Sequence, residues 1–147
     1  LAQAAGMEVC SGGIVGMGES DEDVLDLAVA LADLGVESVP VNFLDPRPGT
    51  PFSGLARKRP IDCLKVLAMF RLMLPRAELR AAGGREVTLR WLQPMALFAV
   101  NSIFTAGYLT TGGATPDADR QMIADLGFAV EEAGNAHSAG ARVEAAR

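Results

Sequence analysis

The chain has 147 residues, half of them hydrophobic, enough for one core, and its formal net charge of −5 comes from acids and bases interleaved along the chain. No basic stripe is present to collect phosphates, which sets nucleic acid aside as a partner. The most apolar stretch, "WLQPMALFAVNSIF", is cut by Pro94 and Asn101 before the roughly 20 residues a bilayer crossing needs, and no secretory leader is visible, so the expectation is a soluble cytoplasmic protein.

In chain order, "LAQAAG" reads as the last turn of a helix closed by Gly6, as though the chain were a piece of a longer one. "MEVCS" predicts a short strand ending at Cys10. A glycine-rich loop follows, then a helix opened by Ser20 and Asp23 in capping-box spacing, with Val24, Leu27, Ala28 and Leu31 at helical intervals and Gly35 as its stop. "VESVPVNFL" predicts a second strand and "DPRPGTPFSG" a punctuated loop. "RPIDCLKVLAMFRLMLP" predicts a helix with Pro60 in its first turn and Pro75 as its end. A third strand is expected around Glu78 to Ala82, then a helical segment from about Thr88 to Val100. Pro94 would cost that segment about 3 kcal/mol, so a kink or a later start is expected. "SIFTA" predicts a fourth strand, "YLTTGGATP" a loop, and Thr115 with Pro116 the cap of a last helix ending at Leu126 and Gly127. Residues 129–147 are expected to form a disordered tail after a domain spanning 1–128.

Four strand–loop–helix units imply an α/β fold with parallel strands. Two architectures satisfy the pattern: a small doubly wound sheet if the domain is complete, or half of a (β/α)8 barrel if it is a piece. Both place function at the strands' C-terminal ends. The polar residues expected in or beside the strands are Cys10, Asn42, Arg80, Asn101 and Ser102, at positions where parallel strands are normally apolar on both faces.

Two cysteines, Cys10 and Cys63, and one histidine, His137, cannot assemble a structural zinc site. Two reduced thiols are expected, Cys63 as core among Leu64, Val66 and Leu67. By itself Cys10 reads as a small buried hydrophobe. The loop after it changes that weighting, because Gly12, Ile14, Gly16 and Glu19 spell G-x-I-x-G-x-x-E. That pattern resembles one found after a strand in radical S-adenosylmethionine enzymes. Its glycines allow close backbone approach to an adenine, Ile14 offers it an apolar surface, and Glu19 suits a helix N-terminus.

With its flanks the likeness sharpens. "VCSGGIVGMGE", "SVPVNFLDPRPGTP", "LRAAGGRE" and "NSIFTAGYLTT" occur in the order and spacing of the biotin synthase family, from Leu1 to about Phe128. The resemblance implies the last four strands of a (β/α)8 TIM-type barrel. It implies dethiobiotin as substrate, S-adenosyl-L-methionine as cofactor, a 4Fe-4S cluster that cleaves it to a 5'-deoxyadenosyl radical, and a 2Fe-2S cluster that gives up the sulfur inserted to form biotin. It further implies an electron donor such as flavodoxin or ferredoxin, and a homodimer when full length.

By the same resemblance Cys10 is a thiolate ligand of the 2Fe-2S cluster and Arg80 its arginine ligand, with Arg85 a rival in the same motif. Asn42 corresponds to a position that hydrogen-bonds dethiobiotin, Ile14 and Asp45 to positions that contact S-adenosylmethionine, and Ser38 and Ser102 to the cluster's surroundings. Each has a plainer reading: a strand-end cap for Asn42, and a buried ion pair for Arg80, since a guanidinium offers donors and no lone pair. The C-x-x-x-C-x-x-C loop for the 4Fe-4S cluster and the remaining 2Fe-2S cysteines are absent from these residues, so this stretch alone is expected to catalyse nothing. Rival readings are another enzyme of the same barrel type, resembling a hydrogenase maturase or methylornithine synthase, and a non-enzymatic doubly wound binding module.

Overall fold

A computed structural model of the chain describes residues 1–106, 113–131 and 141–145. The chain enters through a single 3-10 turn at Gln3–Ala5, closed by Gly6 in the left-handed region at φ 75°. The first strand, β1 (Gly13–Val15), leads to helix α1 (Asp21–Asp33), strand β2 (Ser38–Phe43), helix α2 (Pro60–Met73) and strand β3 (Glu78–Ala81). Short helices α3 (Arg85–Leu89) and α4 (Gln93–Ala96) follow, then strand β4 (Ser102–Ile103), helix α5 (Pro116–Asp125) and strands β5 (Phe128–Glu131) and β6 (Ala141–Ala145).

Local signals set these boundaries. The Ser20 hydroxyl accepts from the Asp23 N–H at 3.1 Å while the Asp23 carboxylate accepts from the Ser20 N–H at 2.8 Å, a reciprocal cap that satisfies two otherwise orphaned donors of α1. Asp21, Glu22 and Asp23 complement the positive end of the same helix. α2 starts on Pro60, whose missing N–H costs nothing in a first turn. Thr115 caps α5 by accepting from Ala118 N–H at 3.2 Å.

Of the two outcomes expected for the segment from Thr88 to Val100, a kink or a later start, the later start is found. α3 ends at Arg90, whose φ of 51° no continuing helix tolerates, a 3-10 turn covers Arg90–Leu92, and α4 begins with Pro94 in its first turn. The proline therefore starts a helix, where its ring clashes with no preceding carbonyl, and does not interrupt one.

β1, β2, β3 and β4 are mutually parallel and lie side by side in chain order, followed by β6 and β5 as an antiparallel pair. Consecutive parallel neighbours joined by right-handed crossovers carry their helices to one face of the sheet. That order is singly wound, and it sets aside the doubly wound sheet, whose strand order must reverse. The covered face presents Val15, Val39, Val41, Leu79, Ala81 and Ile103, each no more than 2% exposed, to Ala28 and Leu31 of α1 and to Cys63, Leu67 and Phe70 of α2. Each Val, Leu, Ile or Phe among them contributes about 1.5–3 kcal/mol.

The segment from 129 onward carries β5 and β6 among its described residues. Of their sequences, "ARVEA" alternates apolar and polar residues at strand period and "FAVE" is a short apolar run, signals that the alanine- and glutamate-rich composition of the region masks. Most of the loop expected at 108–116, and His137, lie outside the described residues.

At the strands' N-terminal ends, Arg71 of α2 gathers acceptors. Its Nε donates to the Ala99 carbonyl at 2.7 Å, its Nη1 to those of Leu74, Pro75 and Ala77, and its Nη2 to Asn101 Oδ1 at 2.9 Å. Asn101 Oδ1 also accepts the Leu79 N–H at 2.9 Å. Asn101 is thus a structural tie at the end of the sheet opposite the strands' C-termini.

Candidate functional site

Register decides which side chains share the face that, among the described residues, no helix covers, called the uncovered face below. Cys10 bridges Ser38 in parallel, and Ser38 pairs with Glu78. Pro40 pairs with Arg80 and Arg80 with Ser102, while Ile14 pairs with Asn42. In-register residues of neighbouring strands point the same way, and alternate residues along a strand do too. Cys10, Ile14, Ser38, Asn42, Arg80 and Ser102 therefore lie on one face, opposite the helices. That face is polar where the covered face is aliphatic.

Cys10 does not end the first strand, as the sequence predicts, but stands at its start. The Ser38 N–H donates to the Val9 carbonyl at 3.1 Å and the Ser11 N–H to the Ser38 carbonyl at 3.0 Å, in the register that continues at Gly13 and Val41. The ladder lapses between them because the next donor on β2 would be Pro40, which has no N–H. The Cys10 thiol is free and exposed. Cys63 is buried in α2, and burial pushes its thiol up to about 11, as befits core.

Gly12 serves this strand pair. A Cβ there would stand 2.0 Å from the Pro40 carbonyl oxygen, so only glycine lets β1 approach β2 so closely. Glu19 closes the following loop: its carboxylate accepts the N–H groups of Gly16 and Met17, each at 2.6 Å, with Lys58 Nζ 3.7 Å away. Partial burial opposes the charge, but the backbone donors of Gly16, Glu19 and Met17, with Lys58, outweigh it and hold the carboxyl below the ordinary glutamate value. Ile14 projects from the uncovered face, 47% exposed.

Asn42 spans the sheet, its Nδ2 donating to the Gly13 carbonyl at 3.1 Å and its Oδ1 accepting the Gly83 N–H at 2.9 Å. Asp45, just past β2, is held by Arg47 Nη2 at 2.8 Å and by Arg57, whose Nε lies at 2.8 Å. It thereby pins the ends of the 45–57 loop together.

Arg80 lies half-buried on the uncovered face. Its Nε donates to Ser102 Oγ at 2.8 Å, its Nη2 pairs with the Glu78 carboxylate, and its guanidinium carbon sits 5.2 Å from the centre of the Phe104 ring. Among the described residues, Nη1 is the guanidinium nitrogen left without a hydrogen bond. Arg85, its rival, is 2% exposed and committed elsewhere. It donates to both Asp119 oxygens at 3.0 and 3.1 Å, to Gln93 Oε1, to Glu86 Oε1 and to the Phe104 carbonyl.

Three members of this arrangement escape sequence reasoning: Glu78, Phe104 and Asp119. Glu78 carries a readable signal, an acid two residues before an arginine in a strand, which places both on one face. Asp119 carries none, since 34 residues separate it from Arg85.

Among the described residues, no three His, Cys, Asp or Glu side chains gather as a metal site. The groups on the uncovered face include the accessible Cys10 thiol, the Glu78 carboxylate in register with it and the Arg80 guanidinium that Glu78 pairs with, Cys10 and Arg80 lying on strands two apart and offset by two residues, a Cα separation of roughly 12 Å. Such a set can supply part of a shared centre and no complete one. Among the described residues no helix is long and apolar enough to cross a membrane.

Residues 40–129 match the family described as the Biotin and Thiamin Synthesis associated domain. The chain is 61% identical over 127 residues to a biotin synthase of Salinibacter ruber, covering 86% of this chain and 35% of that protein. It is 58% identical over 126 residues to a biotin synthase of Rhodopirellula baltica, with the same coverage of 86% and 35%. It is 50% identical over 131 residues to a biotin synthase of Bacillus subtilis, covering 89% of this chain and 39% of that one. The chain thus spans little more than a third of the length of these relatives. With a match across most of its strands and helices, the chain belongs to the Biotin and Thiamin Synthesis associated domain family.

Proposed function

We propose that this chain is part of a biotin synthase, contributing four βα units of a (β/α)8 barrel to an enzyme that inserts sulfur into dethiobiotin. The observation that carries the reading is the two-faced sheet. One face is sealed by helices and the other, uncovered, gathers Cys10, Asn42 and Arg80 in register. A (β/α)8 barrel has its helices outside and its strands' other face inside, so the uncovered face is the barrel interior and β1 is the edge that the other half continues.

The bound S-adenosylmethionine and iron–sulfur clusters supply the radical and the sulfur. In this chain, Cys10 offers a thiolate and Arg80 a nitrogen ligand to the 2Fe-2S cluster, completed by cysteines from outside these residues. The donor set fits that role, because one thiol beside an arginine, with the Glu78 carboxylate engaged by that arginine, is too small for a cluster of its own. Glu78 pairs with Arg80 Nη2 and Ser102 accepts from its Nε, which leaves Nη1 to face the cluster, where a ligating nitrogen would have to give up its proton. Asn42 has one Nδ2 hydrogen beyond its two backbone contacts with which to meet the ureido carbonyl of dethiobiotin. Ile14 and the Glu19-braced glycine loop present an apolar surface and close backbone to the adenine, and Asp45 shapes the loop beside it. A cytoplasmic setting, a flavodoxin- or ferredoxin-like electron donor and a homodimer complete the proposal.

Replacing Cys10 with Ser in the full-length enzyme tests it. The swap exchanges a soft ligand for a hard one, so the 2Fe-2S absorption and iron content are expected to fall and biotin formation to collapse. Formation of 5'-deoxyadenosine persists in part, because Cys10 holds nothing of the other cluster. Full cluster occupancy with normal biotin output in that variant overturns the proposal.

A further inference from the structure

Arg80 is held on three sides, and two of its contacts come from the end of β4: the Ser102 hydroxyl and the Phe104 ring. Ser102 is placed by the β3–β4 ladder, in which it pairs directly with Arg80. Phe104 follows directly on β4, past the last described pair of each ladder, and its carbonyl accepts from Arg85 Nη2 at 3.1 Å. The same nitrogen is anchored to both oxygens of Asp119, itself 2% exposed, on α5. Glu86, also bonded to Arg85, accepts the Ala114 N–H at 3.1 Å. The Arg85 cluster therefore clasps the chain on both flanks of residues 107–112.

We infer that Asp119 and Arg85 are positioning residues for Arg80, acting through Phe104, whose backbone they pin and whose ring carries the guanidinium. The inference rests on the reading of Arg80 as a ligand of the 2Fe-2S cluster. Asp119 neutralises and orients Arg85, Arg85 holds the Phe104 carbonyl, and the ring face of Phe104, 5.2 Å from the guanidinium carbon, then limits where the Arg80 side chain can lie. A buried pair that only glued α5 to the sheet would stabilise the fold without touching the site. This one reaches the site by one hydrogen bond and one ring contact. Partners one step removed from a ligand typically change metal affinity 10–100-fold.

The test uses the full-length, cluster-loaded enzyme and three variants: Arg80→Ala, Phe104→Leu and Asp119→Asn. Visible circular dichroism of the 2Fe-2S cluster, the rate of iron loss to a chelator and the unfolding midpoint are read on each. Phe104→Leu keeps the carbonyl and the ion pair and removes only the ring. It is expected to shift the cluster bands in the sense of Arg80→Ala and to speed iron loss about tenfold, with a small change in midpoint. Asp119→Asn is expected to show the same spectral shift together with a lower midpoint, and Asp119→Glu to recover the parent spectrum. Arg80→Ala altering the cluster while folded Phe104→Leu and Asp119→Asn leave its bands and iron loss untouched overturns the inference and spares the reading of Arg80. A silent Arg80→Ala overturns both. Should Asp119→Asn not fold, Phe104→Leu decides alone: a shift supports the inference and silence overturns it.

Discussion

The side-chain oxygen of Asn42 accepts the backbone N–H of Gly83 at 2.9 Å, tying the end of β2 to the turn after β3. Its nitrogen meanwhile donates to Gly13 on the other side. Asn42 is thus a three-strand clamp on the face proposed to meet substrate. Asn42→Ala leaves the buried Gly83 N–H unpaired and is expected to cost about 1–3 kcal/mol. Denaturant unfolding checks it. Asn42→Asp keeps the acceptor for Gly83 and loses the donor to Gly13, so it is expected to fall between the parent and the alanine variant.

Gly12 and Gly54 make a matched pair. A methyl at Gly12 meets the Pro40 carbonyl oxygen at 2.0 Å, whereas one at Gly54 meets nothing within 4 Å. Gly12→Ala must push β1 from β2 and is expected to cost about 1–3 kcal/mol or more. Gly54→Ala, at a position with negative φ, is expected to be neutral or slightly stabilising. Equal midpoints for the two variants would remove the close-approach account of Gly12.

The contrast between these glycines also marks what was legible in the sequence. Both ends of α1, the start of α2 and the cap of α5 follow from residues within four positions of one another, so Ser20 with Asp23, Pro60 and Thr115 announce them. The alternation that puts Asn42 and Arg80 on one face is equally local. The place of Cys10 is not: it depends on Pro40, a proline thirty residues on that withholds one ladder bond. The break at Arg90 arises from a positive φ that no residue type there advertises. The commitment of Arg85 to Asp119 is not legible either, because its partner is distant in sequence and close only in the fold.

The two thiols are expected to differ sharply toward an alkylating reagent. Cys10 is exposed, while Cys63 is fully buried with its thiol pushed up to about 11 by burial. Thiolate is the reacting species, so near pH 8 the folded protein is expected to take one label, at Cys10, and the second only in denaturant. Peptide mass spectrometry locates the label, and early modification of Cys63 would contradict the packing of α2.

Glu19 predicts a pH dependence. Its folded carboxyl lies below the ordinary glutamate value, so the folded state holds the proton more weakly than the unfolded chain does. Its contribution is therefore fully present above the unfolded value of about 4.3 and lost as pH falls through the lower folded value. Glu19→Gln removes that dependence, because an amide accepts from Gly16 or Met17 at any pH but carries no charge. The variant is expected to be less stable than the parent at neutral pH, and the two stability curves to converge as pH falls through the lowered folded value. Parallel curves across the acid range would show that the carboxylate does not brace the loop.

Arg71 and Asn101 offer the sharpest test of the sheet's lower end. One guanidinium there serves five acceptors, four of them backbone carbonyls at the end of α2, before β3 and before β4, and the fifth the Asn101 oxygen that also receives the Leu79 N–H. Burial lowers the Arg71 pKa from its usual value, yet an arginine stays charged and keeps all its donors. Arg71→Lys retains the charge but replaces a planar fork with a point donor, so several carbonyls lose their partner together. It is expected to cost about 2–4 kcal/mol, more than a single hydrogen bond to a charged group provides. Asn101→Ala is expected to cost about 1–3 kcal/mol through the stranded Leu79 N–H. Because both variants break the contact between them, the double variant is expected to fall short of the sum by about 0.5–3 kcal/mol. Strict additivity in denaturant unfolding would mean that the two residues act independently, and that the sheet's end is held by backbone pairing alone.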